Sequence, residues 1–84
     1  MDIATDTIDG TTVVRLTGNL DTTTSTAAQA ALDELMDGGC TALLVNLQKV
    51  EFVSSAGLRV LLATAKRMNS SGGSLKISNL NETV

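Results

Sequence analysis

Apolar and polar residues alternate along two short runs at the start of the chain, Ile3 to Ile8 and Thr11 to Thr17, on either side of Asp9-Gly10. Asp-Gly between two strand-like runs accepts the positive φ angles of a two-residue turn, so the pattern predicts an antiparallel hairpin. In the second run Val14 and Leu16 share one face while Val13 and Arg15 share the other. Gly18-Asn19-Leu20-Asp21 is expected to break this strand. The period then lengthens. Ala28, Ala31, Leu32 and Leu35 fall at spacings of three and four and form one apolar stripe. They predict a helix capped from Thr22 to Ser25, running to about Met36 and stopped by Gly38-Gly39. Gln29, Asp33, Glu34 and Asp37 lie mostly off the stripe. The acids at its carboxyl end oppose the helix dipole and read either as a solvated face or as a partner-facing patch.

Thr41 to Leu47 is nearly continuous in apolar residues, the pattern of a strand buried on both faces. Strand, helix and buried strand in this order imply a right-handed parallel crossover. A short Val50-to-Val53 segment follows, and a second helix is predicted from near Ser55 to about Met68. Its expected core stripe is Leu58, Leu61, Leu62, Ala65 and Met68, with Arg59, Lys66 and Arg67 flanking it or pointing away. Ser70 to Gly73 ends that helix, and Ser74 to Ser78 reads as a strand with Leu75 and Ile77 facing one way. Asn81 to Val84 has the look of the cap of a third helix. The expected order is therefore β-β-α-β-α-β, an α/β fold with helices packed on a mixed sheet, as one domain over residues 1–84.

Composition narrows the chemistry. The chain has 84 residues and a net charge of −3, with six scattered basic residues, the wrong sign and distribution for a nucleic-acid binder. One Phe and no Trp or Tyr leave no stacking platform for single strands. No apolar stretch is longer than that of Ala42 to Val45, which is too short to insert in a membrane, and the start of the chain lacks a secretory signal pattern, so a cytoplasmic protein is expected. There is no His and a single cysteine, Cys40, so neither a thiolate–imidazole pair nor a zinc site can be assembled within one chain. No cofactor, metal site or catalytic residue is expected, and Cys40 reads as a small buried thiol.

The candidate chemistry lies in Val53-Ser-Ser-Ala-Gly-Leu-Arg59, where a strand end becomes a helix start. A helix start carries unpaired N–H groups and partial positive charge, which a serine hydroxyl caps and which also stabilise a phosphate. Gly57 costs about 1 kcal/mol against Ala inside a helix. Its missing side chain hints at a close approach by a partner or a phosphate. Arg59 stands four residues beyond Ser55, within reach of a group on it. A plain cap remains an open reading of these serines.

Arg15-Leu-Thr-Gly-Asn-Leu-Asp21, Leu43-Leu-Val-Asn-Leu47 and Val50-Glu-Phe-Val-Ser-Ser-Ala-Gly-Leu-Arg-Val-Leu-Leu62 together resemble, in order and spacing, a STAS domain of the anti-sigma-factor antagonist type. The resemblance implies that Ser55 is phosphorylated by a partner serine kinase, itself the anti-sigma factor. It implies also that Asp21, Ser54, Ala56, Gly57, Leu58 and Arg59 belong to the partner-binding surface. The unmodified form would bind the kinase and release the sigma factor, and a serine phosphatase would reset the cycle. The chain departs from the family pattern at Ser54, where many members have Asp, and at Ala56, where many have a second hydroxyl. A non-switching STAS scaffold, or a subunit of a membrane-lipid transport system, is the alternative, with Ser55 then only part of a helix start. An enzyme using Cys40 or Ser55 as nucleophile is a weaker one, since neither has a base beside it. The family domain usually continues with a further helix, so a chain ending at Val84 is expected to lack its last helix, to expose apolar sheet surface and to form a homodimer or be a truncation.

Overall fold

The structure, a computed structural model, describes residues 1–78. Asp9 and Gly10 both hold positive φ, 51° and 82°, the signature of a type I′ turn. The turn pairs β1 (Asp2–Ile8) antiparallel with β2 (Thr11–Leu20). β2 does not break at Gly18 but runs on to Leu20. Gly18 takes a φ of 107° at an irregularity in the ladder, so the strand bends there rather than stopping.

β3 (Ala42–Val53) is likewise one strand where the sequence pattern suggested two pieces. Arg15 to Thr17 faces Asn46 to Lys49, and Gly18 to Leu20 faces Val50 to Val53, so β3 carries an extra residue at each place. These bulges turn Leu47 and then Val50 into the same core despite their odd spacing. A period-two reading of the sequence has no means of following that slip.

β4 (Ser74–Ser78) lies parallel to β3 and completes a mixed sheet in the order β1-β2-β3-β4. α1 (Thr22–Asp37) and α2 (Ser55–Ser70) pack on one face of the sheet and on each other. The core between them joins Val14, Leu16, Leu20, Leu43, Val45, Leu47 and Val50 of the sheet to Ala28 and Leu32 of α1 and to Val60, Leu61 and Met68 of α2. The opposite face is open. Arg15, Thr17 and Lys76 are exposed there and Leu44 and Asn46 only half-buried, although Val13 is buried. β3 is thus buried on one face, not on both as its apolar run suggested.

α2 is also rotated from its expected setting. Gly57, Val60, Leu61, Thr64 and Met68 point inward, while Leu58 is 51% and Leu62 61% exposed. Thr64 can occupy the interior because its hydroxyl donates to the Val60 carbonyl at 2.8 Å. In this setting Arg67 pairs with Asp33 of α1 at 3.3 Å and with Asp37. The hydrogen bond to Asp37, with the charges of both carboxylates, holds the Arg67 proton more tightly than usual, against the opposing effect of burial. Two of the acids at the end of α1 are therefore spent within the chain. At about 100° per residue, Leu58 and Leu62 fall on the flank of α2 opposite Arg67, away from α1. The Asn81-to-Val84 stretch lies outside the described residues.

Candidate functional site

β2 and β3 run parallel and end side by side, with Leu20 opposite Val53. Each leads directly into a helix, so the N-termini of α1 and α2 emerge at the same edge of the sheet. Both starts present unpaired N–H groups and partial positive charge. They are capped differently. Asp21, not a residue of the Thr22–Ser25 run, caps α1: its carboxylate accepts the Thr23 N–H at 2.9 Å and the Thr24 N–H at 3.0 Å. The Thr24 hydroxyl in turn accepts the Asp21 N–H at 2.9 Å, closing a capping box. The Thr24 backbone bond is the main reason the Asp21 carboxyl sits below the usual aspartate range; burial works against it, and the Thr24 hydroxyl and Thr23 N–H add to it. α2 has a neutral cap instead. The Ser54 hydroxyl accepts the Gly57 N–H at 3.2 Å.

Leu20 joins the two starts. Its carbonyl accepts the Ser54 N–H at 2.8 Å. Gly57 packs directly on it, since a Cβ at Gly57 would stand 2.6 Å from the Leu20 oxygen and 2.7 Å from Leu20 Cγ. The room left by the missing side chain is therefore filled from within the chain rather than left open to a partner or a phosphate, and Gly57 is buried.

The two serines are not equivalent. Ser54 is half-buried and committed as cap, whereas Ser55 is exposed at the first position of α2, and its hydroxyl makes no hydrogen bond to the described residues. Arg59, one turn on, is exposed and forms no ion pair among them. Ala56 is half-buried and Leu58 exposed. Ser55, Arg59 and Leu58 thus share the first turns of α2, with Asp21 on the adjoining loop. Sequence reasoning missed Phe52, which is 51% exposed just before the Ser54 cap. It sits in the second bulge of β3, where alternation no longer tells inside from outside.

Other chemistry is sparse. Cys40 is half-buried at the far end of the sheet, its thiol donating to the Ala42 carbonyl at 3.3 Å. It lines, with Ile3, Thr5, Glu34 and Leu35, an open groove of about 700 Å³ between β1 and the carboxyl end of α1. Among the described residues no group of His, Cys, Asp and Glu could hold a metal ion, and no helix is long and apolar enough to cross a membrane.

The chain is similar to known proteins in sequence and in fold. The anti-sigma F factor antagonist of Paenibacillus polymyxa is 33% identical over 76 residues, which cover 89% of this chain and 65% of that protein. The anti-sigma-F factor antagonist RsfB of Mycobacterium tuberculosis is 35% identical over 63 residues, 75% of this chain and 52% of that one. The chain thus spans between about half and two-thirds of the length of these two relatives. Among solved structures, an anti-sigma factor antagonist from Mycobacterium paratuberculosis superposes with a TM-score of 0.84 at 28% identity, covering 90% of this chain and 64% of that one. SpoIIAA in its unphosphorylated form gives a TM-score of 0.81 at 21% identity, covering 98% and 76%, a likeness of fold alone. The phosphorylated form of the Bacillus cell fate determinant SpoIIAA superposes equally well, with a TM-score of 0.81. The sequence pattern of the STAS domain runs through residues 2–84, and the chain belongs to that family.

Proposed function

We propose that this chain is an anti-sigma-factor antagonist whose binding to an anti-sigma serine kinase is switched off by phosphorylation of Ser55. One observation carries the choice of residue: of two adjacent serines at the start of α2, Ser54 is tied up as the cap and Ser55 offers an exposed, uncommitted hydroxyl. The names of the relatives, anti-sigma F factor antagonists, support the partner class. In this reading Asp21, Ser54, Ala56, Leu58 and Arg59 surround Ser55 in the docked surface, and Gly57 supports it from beneath.

The unmodified loop docks on the kinase and the sigma factor is released. Phosphorylation adds about −1.5 to −2 charge and three acceptor oxygens at Ser55. Arg59 and the helix start offset part of that charge in the free protein. Inside a docked interface it must be stripped of water beside the Asp21 carboxylate, and each ~1.4 kcal/mol of that cost weakens binding about tenfold. A serine phosphatase restores the binding form. The chain receives and carries the phosphoryl group; the kinase transfers it, and the cycle is cytoplasmic. No residue of the chain is assigned a catalytic role.

Incubation with ATP and the cognate kinase, read by intact mass, tests this. The expected product is about 80 Da heavier, one phosphoryl group. It is lost in Ser55→Ala and retained in Ser54→Ala. Phosphorylation of Ser55→Ala at the wild-type rate would overturn the assignment. The exposed Leu58–Leu62 flank supports self-association as a further property. Sedimentation should then show a dimer that Leu62→Glu dissociates, and a wild-type monomer at high concentration would remove this part of the reading.

A further inference from the structure

Leu20 and Gly57 come from different halves of the chain and meet beneath both capped helix starts. The Leu20 side chain is fully buried, and its backbone is held in the ladder opposite Val53, so neither can retreat from α2. Its carbonyl takes the Ser54 N–H at 2.8 Å, and the bare α-carbon of Gly57 rests on the same oxygen. On one side of that oxygen Asp21 follows directly in the chain, with its carboxylate and its N–H both tied into the first turn of α1. On the other, Ser55 sits between Ser54 and Gly57, two residues that each touch Leu20 and are bonded to each other through the Ser54 hydroxyl. One carbonyl oxygen is therefore common to the two helix starts.

We infer that Gly57 is a positioning residue, which lets the first turn of α2 settle on the Leu20 carbonyl and so holds Ser55 and Asp21 as one surface for the kinase. This rests on the phosphoswitch reading for its consequence, though not for its geometry. A methyl group at 57 must push against backbone, which cannot rotate aside as a side-chain tip can. The first turn of α2 then lifts, the Ser54 N–H loses its acceptor, and Ser55 moves relative to Asp21 while both residues keep their chemistry.

The test compares Gly57→Ala with Gly73→Ala, at the far end of the sheet, where a Cβ would stand 2.7 Å from the Thr41 oxygen. Both variants crowd a carbonyl, but only the first lies under Ser55. Gly57→Ala should raise the kinase's KM for the protein about tenfold with kcat little changed, and lower the exchange protection of the Ser54 amide about tenfold. With protection measured relative to the most protected core amides, Gly73→Ala should change neither. Asp21→Asn should weaken docking strongly in the wild-type background and little on top of Gly57→Ala, because the misplaced carboxylate has already lost its effect. An equal loss in Gly73→Ala, an additive double variant, or normal kinetics with a fully protected Ser54 amide in Gly57→Ala would each overturn the inference. Should the kinase not modify even the wild type, the functional reading falls, and the lock is still judged by amide shifts at Asp21–Thr24 in Gly57→Ala: shifts confined to α2 refute it. If Gly57→Ala does not fold, the wild type decides, since a Ser54 amide exchanging as fast as a free loop would show that Leu20 does not hold it.

Discussion

At one end of the sheet the Leu20 carbonyl accepts the Ser54 N–H at 2.8 Å and lies against Gly57; at the other, the Thr41 carbonyl accepts the Ser74 N–H at 2.9 Å and lies against Gly73. In both places a glycine lies against the backbone of the neighbouring chain segment, so close that a Cβ would collide with its carbonyl oxygen. The ends differ in what emerges from them. At the Leu20 end two helices begin, so the backbone groups turned outward are N–H donors, met in part by the Asp21 carboxylate and the Ser54 hydroxyl. At the Thr41 end the helices finish, in Gly38-Gly39 after α1 and Ser71-Gly72 after α2, and Gly39 and Gly72 hold φ of 94° and 81°. The Ser71 hydroxyl there donates to the Met68 carbonyl at 3.0 Å, whereas the Ser55 hydroxyl is uncommitted. Close packing closes both ends; the polarity of the helices decides which end can serve as a site for an anionic group.

The largest expected effect comes from the buried leucines nearest each end. Leu20→Ala and Leu43→Ala should each cost about 2–5 kcal/mol in urea unfolding, a large share of the 5–15 kcal/mol typical of whole domains. Only Leu20→Ala should shift the amides of Asp21 and Ser55. Next come the two glycines: Gly57→Ala and Gly73→Ala should each lose about 1–3 kcal/mol by overpacking, and a neutral result at either would show that the two closures are not alike.

Smaller effects sharpen the contrast within the Leu20 end. Ser54→Ala should lower stability by about 1 kcal/mol through loss of the α2 cap, while Ser55→Ala should stay within about 0.5 kcal/mol of wild type. Equal losses at the two positions would remove the distinction between a committed cap and an uncommitted hydroxyl. The smallest effect is that of pH. The folded state holds the Asp21 carboxyl below its ordinary value of about 3.9, so its stabilising contribution is complete above that value and is lost as pH falls through the lower folded one. Thermal melts of wild type and Asp21→Asn should therefore differ by a constant amount near neutrality and converge in strong acid. A gap that persists there would place the effect in shape rather than charge.

Much of this was legible in the residues themselves. The Asp9-Gly10 turn, both helices and β4 follow from local pattern, because local backbone preference and one-sided burial agree there. Two of the errors share one cause, a partner distant in sequence. Gly18 looked like a stop because the β3 residues that keep β2 in the sheet come later. Leu58 and Leu62 looked like core because nothing local says that Arg67 will anchor α2 on Asp33 and Asp37. At the site, the Ser-Ser stretch and Asp21 were visible separately. Their meeting at Leu20 was not, nor was the reason for Gly57, since both depend on how two strands line up.

The pairing of Leu20 with Val53 has a consequence for how the molecule is made. These neighbours are separated by all of α1 and most of β3, so joining them closes a long loop before any contact rewards it. The β1–β2 hairpin needs no such search. An incompletely folded or newly made chain thus displays Ser54-Ser55 as a peptide, without Asp21 beside it and without a helix behind it. On the proposed reading, a kinase that needs both loops at once ignores such chains, and docking at this end of the sheet would double as an inspection of whether the chain has finished folding.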